Sequence, residues 1–209
     1  GEHHRFPWSQ LFDFIDRVLQ VIEPHFPAAP RRRAIQRAVQ FTVERLNGVD
    51  GLGAIFPAMA NSVMMFEALG YPRDHPHYAA ARASVERLLV IREQEAYCQP
   101  CVSPVWDTAL AAHALLEVGG AEPVAAAARA LRWLRPRQVL ETVGDWAVVR
   151  PKVRPGGWAF QYNNPHYPDV DDTAVVVMAM DRAVRAAGVR EDADFAQAIA
   201  RGSEWVVGM

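Results

Sequence analysis

Three carboxylates crowd into four positions at residues 169–172, where the sequence reads Pro-Asp-Val-Asp-Asp-Thr before a strongly apolar stretch. Like charges held this close cannot all ionise comfortably, and burial disfavours the charged form further. We therefore expect at least one carboxyl to stay protonated near neutral pH and to act as a proton donor. The alternative is an ordinary helix start, with Asp169 as the cap and Asp171 and Asp172 favoured by the positive helix end.

Aromatic residues are frequent in the predicted loops and helix starts around this cluster: Trp106, Trp146, Trp158, Phe160, Tyr162 and Tyr167. An aromatic face stabilises a cation by roughly 0.5–2 kcal/mol and offers no nucleophile that would quench it. An acid beside such a lining suits carbocation chemistry. For any single aromatic residue, ordinary packing explains its presence equally well.

Composition narrows the function classes. The chain has 209 residues, 51% of them hydrophobic, which is enough for a sizeable core. Its formal net charge of −2 provides no basic stripe, so nucleic-acid binding is excluded. Cys98 and Cys101 form one CxxC, but no second Cys/His pair follows at a ligand spacing, so we expect no metal site. The favoured interpretation of the two cysteines is that they are loop thiols in a reducing cytoplasm. No apolar run in the sequence is long enough to span a membrane.

Helical periodicity dominates and no stretch alternates like a strand, so the predicted fold class is all-α. Charged and apolar predicted helices alternate along the chain. This alternation favours two concentric layers of helices and predicts a partial α/α toroid. The charged, outer helices are predicted at 31–47, 76–95, 121–135 and 191–207, and the apolar, inner helices at 57–70, 104–118 and 169–187. Residues 1–30 form an amphipathic helix and linker, and residues 31–209 form the partial barrel.

Three longer motifs make the resemblance specific: SPVWDTALA at 103–111, GDWAVVRPKVRPGGWAFQ at 144–161 and GGWAFQYNNPHYPDVDDTAVVV at 156–177. Together they resemble squalene-hopene cyclase, over most of residues 31–209. The resemblance implies an all-helical α/α barrel enzyme that protonates squalene and cyclises it to hopene and hopanol without a metal or other cofactor. It also implies that the complete enzyme is longer and that an isolated piece is inactive.

The resemblance also assigns roles to individual residues. Asp171 matches the general acid, with Asp169 and Asp172 as its carboxylate partners. The substrate cavity is matched by Trp106, Phe160, Tyr167 and Ile55. Gln138, with Gly144, Asp145 and Trp146, resembles a motif that ties helix ends to the following loop by hydrogen bonding and stacking.

The environment expected from the resemblance is the cytoplasmic side of a bacterial membrane, with monotopic attachment. A homodimer is left open. Two other functions remain open as well. A class II diterpene cyclase shares the DxDD pattern but handles a diphosphate with magnesium, and a non-catalytic helical toroid would bind a hydrophobic ligand or a partner helix.

Overall fold

The structure, a computed structural model, describes residues 7–48, 50–161, 164–186 and 193–209. The chain divides into two compact units, Gly1–Glu44 and Arg45–Met209. In the first unit, α1 spans Trp8–Ile22, a short 3-10 turn follows at Glu23–His25, and α2 begins at Ala28. No residue of α1 is buried, and Trp8, Phe12 and Phe14 are each at least 60% exposed.

The second unit is built from consecutive helix pairs, which confirms the all-α prediction. It begins at Arg45, the last residue of α2, and its three pairs are α3 (Phe56–Ala68) with α4 (Pro76–Arg87), α5 (Pro104–Val118) with α6 (Ala121–Leu134), and α7 (Val170–Arg185) with α8 (Ala193–Gly208). The members of each pair pack on each other, and α5 also packs on α7. In the first two pairs an apolar helix is backed by a more polar one, whereas α7 carries more charged residues than α8, so the predicted alternation does not hold for the third pair. The succession of packed helix pairs is nevertheless the arrangement of a partial α/α toroid.

Prolines and glycines explain several helix ends. Pro57 and Pro104 lie in the first turns of α3 and α5. Backbone N–H groups in the first turn have no acceptor within the helix, so a proline there costs no hydrogen bond. Gly119 follows the last residue of α5 with a positive φ of 71°, a conformation that favours glycine.

Within the part of the chain that the structure describes, six short strands form three antiparallel pairs that the sequence analysis did not predict. They are β1 (Leu46–Asn47) with β2 (Gly51–Leu52), β3 (Leu89–Ile91) with β4 (Ala96–Cys98), and β5 (Trp158–Ala159) with β6 (Pro168–Asp169). The helix predicted over 76–95 is therefore wrong beyond Arg87. The run Leu88–Ile91 is apolar but leaves Leu89 and Ile91 exposed, so it pairs as a hairpin strand instead of continuing the helix.

The core of this unit lies between α5, α6, α7 and α8. It is made largely of alanines and small aliphatic residues that let the helices approach closely, with Trp158 and Phe195 as its largest side chains, both fully buried. The apolar helices also carry exposed side chains, among them Met64, Leu110 and Met178. These residues form apolar surface that this chain does not cover.

The motif around Gln138 ties two helices to a loop. The Gln138 amide donates to the carbonyl oxygens of Gly156, at 2.7 Å, and of Ala198 in α8, at 3.0 Å. Trp146 meets Trp205 of α8 edge to face, with ring centroids 6.1 Å apart. The hydrogen bonds and the ring contact of this motif therefore connect it to α8 as well as to the loop. Among the helices of the described residues, none is long and apolar enough to cross a membrane.

Candidate active site

The aspartate cluster lies where β6 ends and α7 begins. Asp169 has an extended backbone and serves as the N-cap of α7, and its Oδ1 accepts a hydrogen bond from the Asp172 amide at 2.8 Å. The Asp169 carbonyl accepts from the Thr173 hydroxyl at 2.6 Å. The capping role considered for Asp169 is therefore present, and it fixes Asp172 at the third helical position.

Residues Gly157 and Trp158 anchor this helix start to the core. Strands β5 and β6 pair Trp158 with Asp169, and the Trp158 amide donates to Thr173 Oγ1 at 2.9 Å. The indole Nε1 donates to the carbonyl of Leu134, the last residue of α6, at 2.8 Å. A Cβ at Gly157 would lie 2.8 Å from Thr173 Oγ1, so this close packing requires glycine.

Asp172 is the carboxyl that the structure removes from water. Its exposed fraction is 2%, and its Oδ1 has no hydrogen-bond partner among the described residues. Burial first, and then the hydrogen bond with Asp169 and the negative charges of Asp169 and Asp171, raise the pKa of Asp172 to about 8. A proton therefore stays on the cluster at neutral pH, as the crowding of carboxylates predicts.

Asp171 occupies the first turn of α7 and is exposed. The two neighbouring carboxyls thus differ in accessibility: Asp172 is enclosed, whereas Asp171 is open to solvent. A molecule approaching the cluster from outside the core meets Asp171 first.

The four predicted cavity residues fall into two groups. Phe160 is half-buried directly after β5, and Tyr167 is 37% exposed directly before β6, so both lie at the end of the strand pair that carries Asp169. Ile55 is the N-cap of α3 and forms a backbone bridge with Cys101, just ahead of α5, whose first turn holds the half-buried Trp106. The starts of α3 and α5 are thereby joined. Tyr162 lies outside the described residues.

A cavity of about 580 Å³ lies elsewhere and contains none of these residues. Its walls include exposed polar side chains, among them the ion pair of Arg154 with Glu204. An open, charged hollow does not suit the hydrocarbon substrate that the resemblance implies, so we place the candidate site at the aspartate cluster.

The structure adds residues that sequence reasoning missed. Thr173 holds the backbone of the cluster, a role that the sequence did not indicate. Trp158 was expected among the aromatic residues around the cluster, but its ring is fully buried and its amide and indole instead anchor the start of α7 to the end of α6. Arg45 reaches Asp145 across a long stretch of chain, and nothing in the sequence around Arg45 indicates this pairing. Cys98 and Cys101 are free cysteines, and the described residues contain no group of three or more His, Cys, Asp or Glu side chains able to hold a metal ion.

Comparison with known proteins decides the family. The model of the squalene-hopene cyclase C-terminal domain matches residues 102–209, and the model of the squalene-hopene cyclase N-terminal domain matches residues 1–94. The chain belongs to the squalene-hopene cyclase family. The two family models meet near the β3–β4 hairpin, whereas the compact units meet at Glu44, and the domain boundary at residue 30 stays a prediction.

Individual squalene-hopene cyclases resemble almost the whole chain. The chain is 63% identical to a probable squalene-hopene cyclase of Sinorhizobium fredii, over 99% of this chain and 32% of that protein. It is 56% identical to the squalene-hopene cyclase of Zymomonas mobilis, over 97% of this chain and 31% of that protein. For the enzyme of Alicyclobacillus acidocaldarius the identity is 36%, over 95% and 31%. The chain thus spans about a third of the length of these curated relatives.

Proposed function

We propose that this chain carries the acid cluster of a cyclase that protonates squalene and closes it through carbocations to hopene and hopanol. The observation that carries the proposal is the enclosed carboxyl of Asp172, whose pKa of about 8 keeps a proton on the cluster at neutral pH. Membership of the squalene-hopene cyclase family, and the names of the relatives, support squalene as the substrate.

Asp171 is the proposed donor, because it is the accessible member of the cluster. For this step Asp171 must carry a proton in addition to the one that Asp172 retains; its O–H bond breaks as the π electrons of an alkene at one end of the substrate form a new C–H bond, which leaves a carbocation on the substrate. The carboxylate that remains on Asp171 lies in the first turn of α7, where the positive helix end stabilises negative charge. The proton held between Asp169 and Asp172 keeps the cluster from carrying three negative charges.

The flanking aromatic residues are proposed to stabilise the cations that follow. Phe160 and Tyr167 lie at the end of the β5–β6 pair whose strand β6 leads into the cluster, and Trp106 lies at the start of the neighbouring apolar helix. Ile55 contributes apolar wall. Aromatic faces lower the energy of a nearby cation and do not react with it, so they favour complete cyclisation over early quenching.

We also propose that the complete enzyme attaches to the cytoplasmic side of a bacterial membrane as a monotopic protein. The exposed apolar residues of α1 support this proposal, because an amphipathic helix of this kind can lie in the membrane interface. Squalene is insoluble in water, so a cyclase must take it from a lipid phase. A homodimer remains a prediction.

The experiment uses a chimera in which residues 1–209 replace the matching segment of the Sinorhizobium fredii protein. We expect purified chimera with solubilised squalene to yield hopene and hopanol by gas chromatography and mass spectrometry. We expect geranylgeranyl diphosphate to be left unchanged. Conversion of the diphosphate instead of squalene would favour the diterpene cyclase, and binding of squalene without conversion would favour the non-catalytic toroid.

Single substitutions in the chimera then test the roles. Asp171→Asn should abolish squalene consumption, because an amide cannot supply the proton. Asp169→Asn and Asp172→Asn should reduce turnover strongly. Asp181→Asn is the matched control, because it makes the same change on an accessible part of α7, where Asp181 pairs only with Arg185 among the described residues. Unchanged turnover by Asp171→Asn would contradict the assignment of the donor.

A further inference from the structure

A second charged group lies beside the aspartate cluster. The guanidinium of Arg45 donates to both carboxylate oxygens of Asp145, from Nε to Oδ2 at 3.0 Å and from Nη2 to Oδ1. The Arg45 side chain is 9% exposed and that of Asp145 is 32% exposed. A forked pair with one partner buried is held far more firmly than a surface ion pair.

The Tyr167 hydroxyl also hydrogen-bonds to Asp145, and Tyr167 lies close to the aspartate cluster along the chain. The pKa of Asp145 is lowered first by the hydrogen bond from Arg45 and also by one from the Tyr167 hydroxyl, while burial opposes both. Burial, followed by the hydrogen bond and charge of Asp145, raises the pKa of Tyr167 to about 12, so its hydroxyl keeps its proton. Tyr167 is two residues before Asp169, and only Pro168 lies between them.

A backbone hydrogen bond also connects Asp145 to the segment that precedes β6. The Asp145 amide donates to the carbonyl of His166 at 3.2 Å. A Cβ at Gly144 would lie 2.3 Å from that carbonyl oxygen, so only glycine permits the loop to approach residue 166 so closely. Residues 166 and 167 are therefore held by Asp145 on one side, just where the chain enters β6.

We infer that Arg45, Asp145 and the Tyr167 hydroxyl are positioning residues for the acid, because they fix the segment from which Asp169 and the start of α7 follow. This inference rests on the proposed function. A shift of residues 166–168 would move the cap Asp169 and, through its bond to the Asp172 amide, the first turn that carries Asp171. Misplacement of a reacting group by about 1 Å lowers a rate by about a hundredfold.

The test separates positioning from mere stability by removing one partner and then both. In the squalene-converting chimera, Arg45→Met leaves the Asp145 charge without its main partner, so we expect a lower Tm and a kcat reduced about tenfold to a hundredfold. The double variant Arg45→Met with Asp145→Asn leaves no uncompensated charge, so its Tm should recover. Its kcat should stay low, because the segment is still not held, and KM should change less than about twofold.

Two further variants complete the design. Tyr167→Phe removes only the hydroxyl and keeps the ring proposed to face the cavity, so kcat should fall with little change in Tm. This variant also carries the test if Arg45→Met does not fold. Arg154→Met is the matched control, because Arg154 makes a similar fork with Glu204 but is 65% exposed and lies outside the network. It should leave kcat unchanged.

The possible outcomes distinguish this inference from the function on which it rests. If the unsubstituted chimera does not convert squalene, the proposed function fails and the inference fails with it. If the chimera is active but the kcat of the double variant recovers together with its Tm, the network serves only the fold and the inference alone is overturned. A wild-type kcat for Tyr167→Phe would also overturn it.

Discussion

Replacing Asp172 by asparagine should stabilise this chain at neutral pH. In the folded chain burial raises the pKa of Asp172 to about 8, whereas the ordinary value, which applies after unfolding, is 3.8. Folding at pH 7 therefore requires this carboxyl to take up a proton. Because the folded pKa is the higher one, the stabilising contribution of the group is full below pH 3.8 and is lost as the pH rises towards 8.

The size of the effect follows from these two pKa values. Each pH unit between them changes the free energy of unfolding by about 1.4 kcal/mol. At pH 7, roughly three units above the ordinary value, ionisation of the unfolded carboxyl lowers that free energy by about 4 kcal/mol. An asparagine amide does not titrate. We therefore expect Asp172→Asn to be more stable than the parent by about 4 kcal/mol at pH 7, relative to the difference at pH 4.

Urea unfolding followed by circular dichroism, at unit steps from pH 4 to pH 9, measures this difference on the 209-residue chain itself. Asn61→Ala is the control, because it replaces an exposed side chain of α3 that does not titrate, so its difference from the parent should not depend on pH. The advantage of Asp172→Asn should grow up to about pH 8 and then level off. If the parent and Asp172→Asn curves stay parallel across this range, the carboxyl is not held protonated by the fold and the reasoning fails.

Two further predictions concern catalysis. In the squalene-converting chimera, Trp106→Ala and Phe160→Ala should leave squalene consumption measurable but accumulate incompletely cyclised products, since their rings act on later cations; an unaltered product distribution in mass spectrometry would contradict this role. The 209-residue chain alone should form no hopene from squalene and should associate through its exposed apolar surface, and hopene above the level of an Asp171→Asn control would show that expectation to be wrong.

The sequence predicts the helices well, because their apolar periodicity is long and their ends carry prolines and glycines. For α5 the predicted and observed bounds coincide, and for α7 they differ by one or two residues. The prediction over 76–95 fails because charge alone does not distinguish a helix from a hairpin. The apolar run at Leu88–Ile91 finds its partner in Ala96–Cys98, a few residues away, and composition does not reveal that pairing.

The candidate site was predictable only in its local part. Asp169, Asp171 and Asp172 share one short motif, so their crowding and the expected retention of a proton can be read directly from it. Which of them is enclosed depends on tertiary packing, which buries Asp172 and leaves Asp171 accessible. The pairing of Arg45 with Asp145 spans 100 positions and leaves no periodic signal, so it could not be foreseen.

The hydrogen bond from the Trp158 indole to Leu134 has a consequence for how the chain folds. This fully buried side chain links the end of α6 to the strand that lies opposite Asp169. Until α6 has docked, the indole has no carbonyl to bind and β5 has no fixed place against which β6 can pair. Assembly of the acid and formation of the core therefore belong to one cooperative folding unit, and partial unfolding that releases α6 should disassemble the acid at the same time.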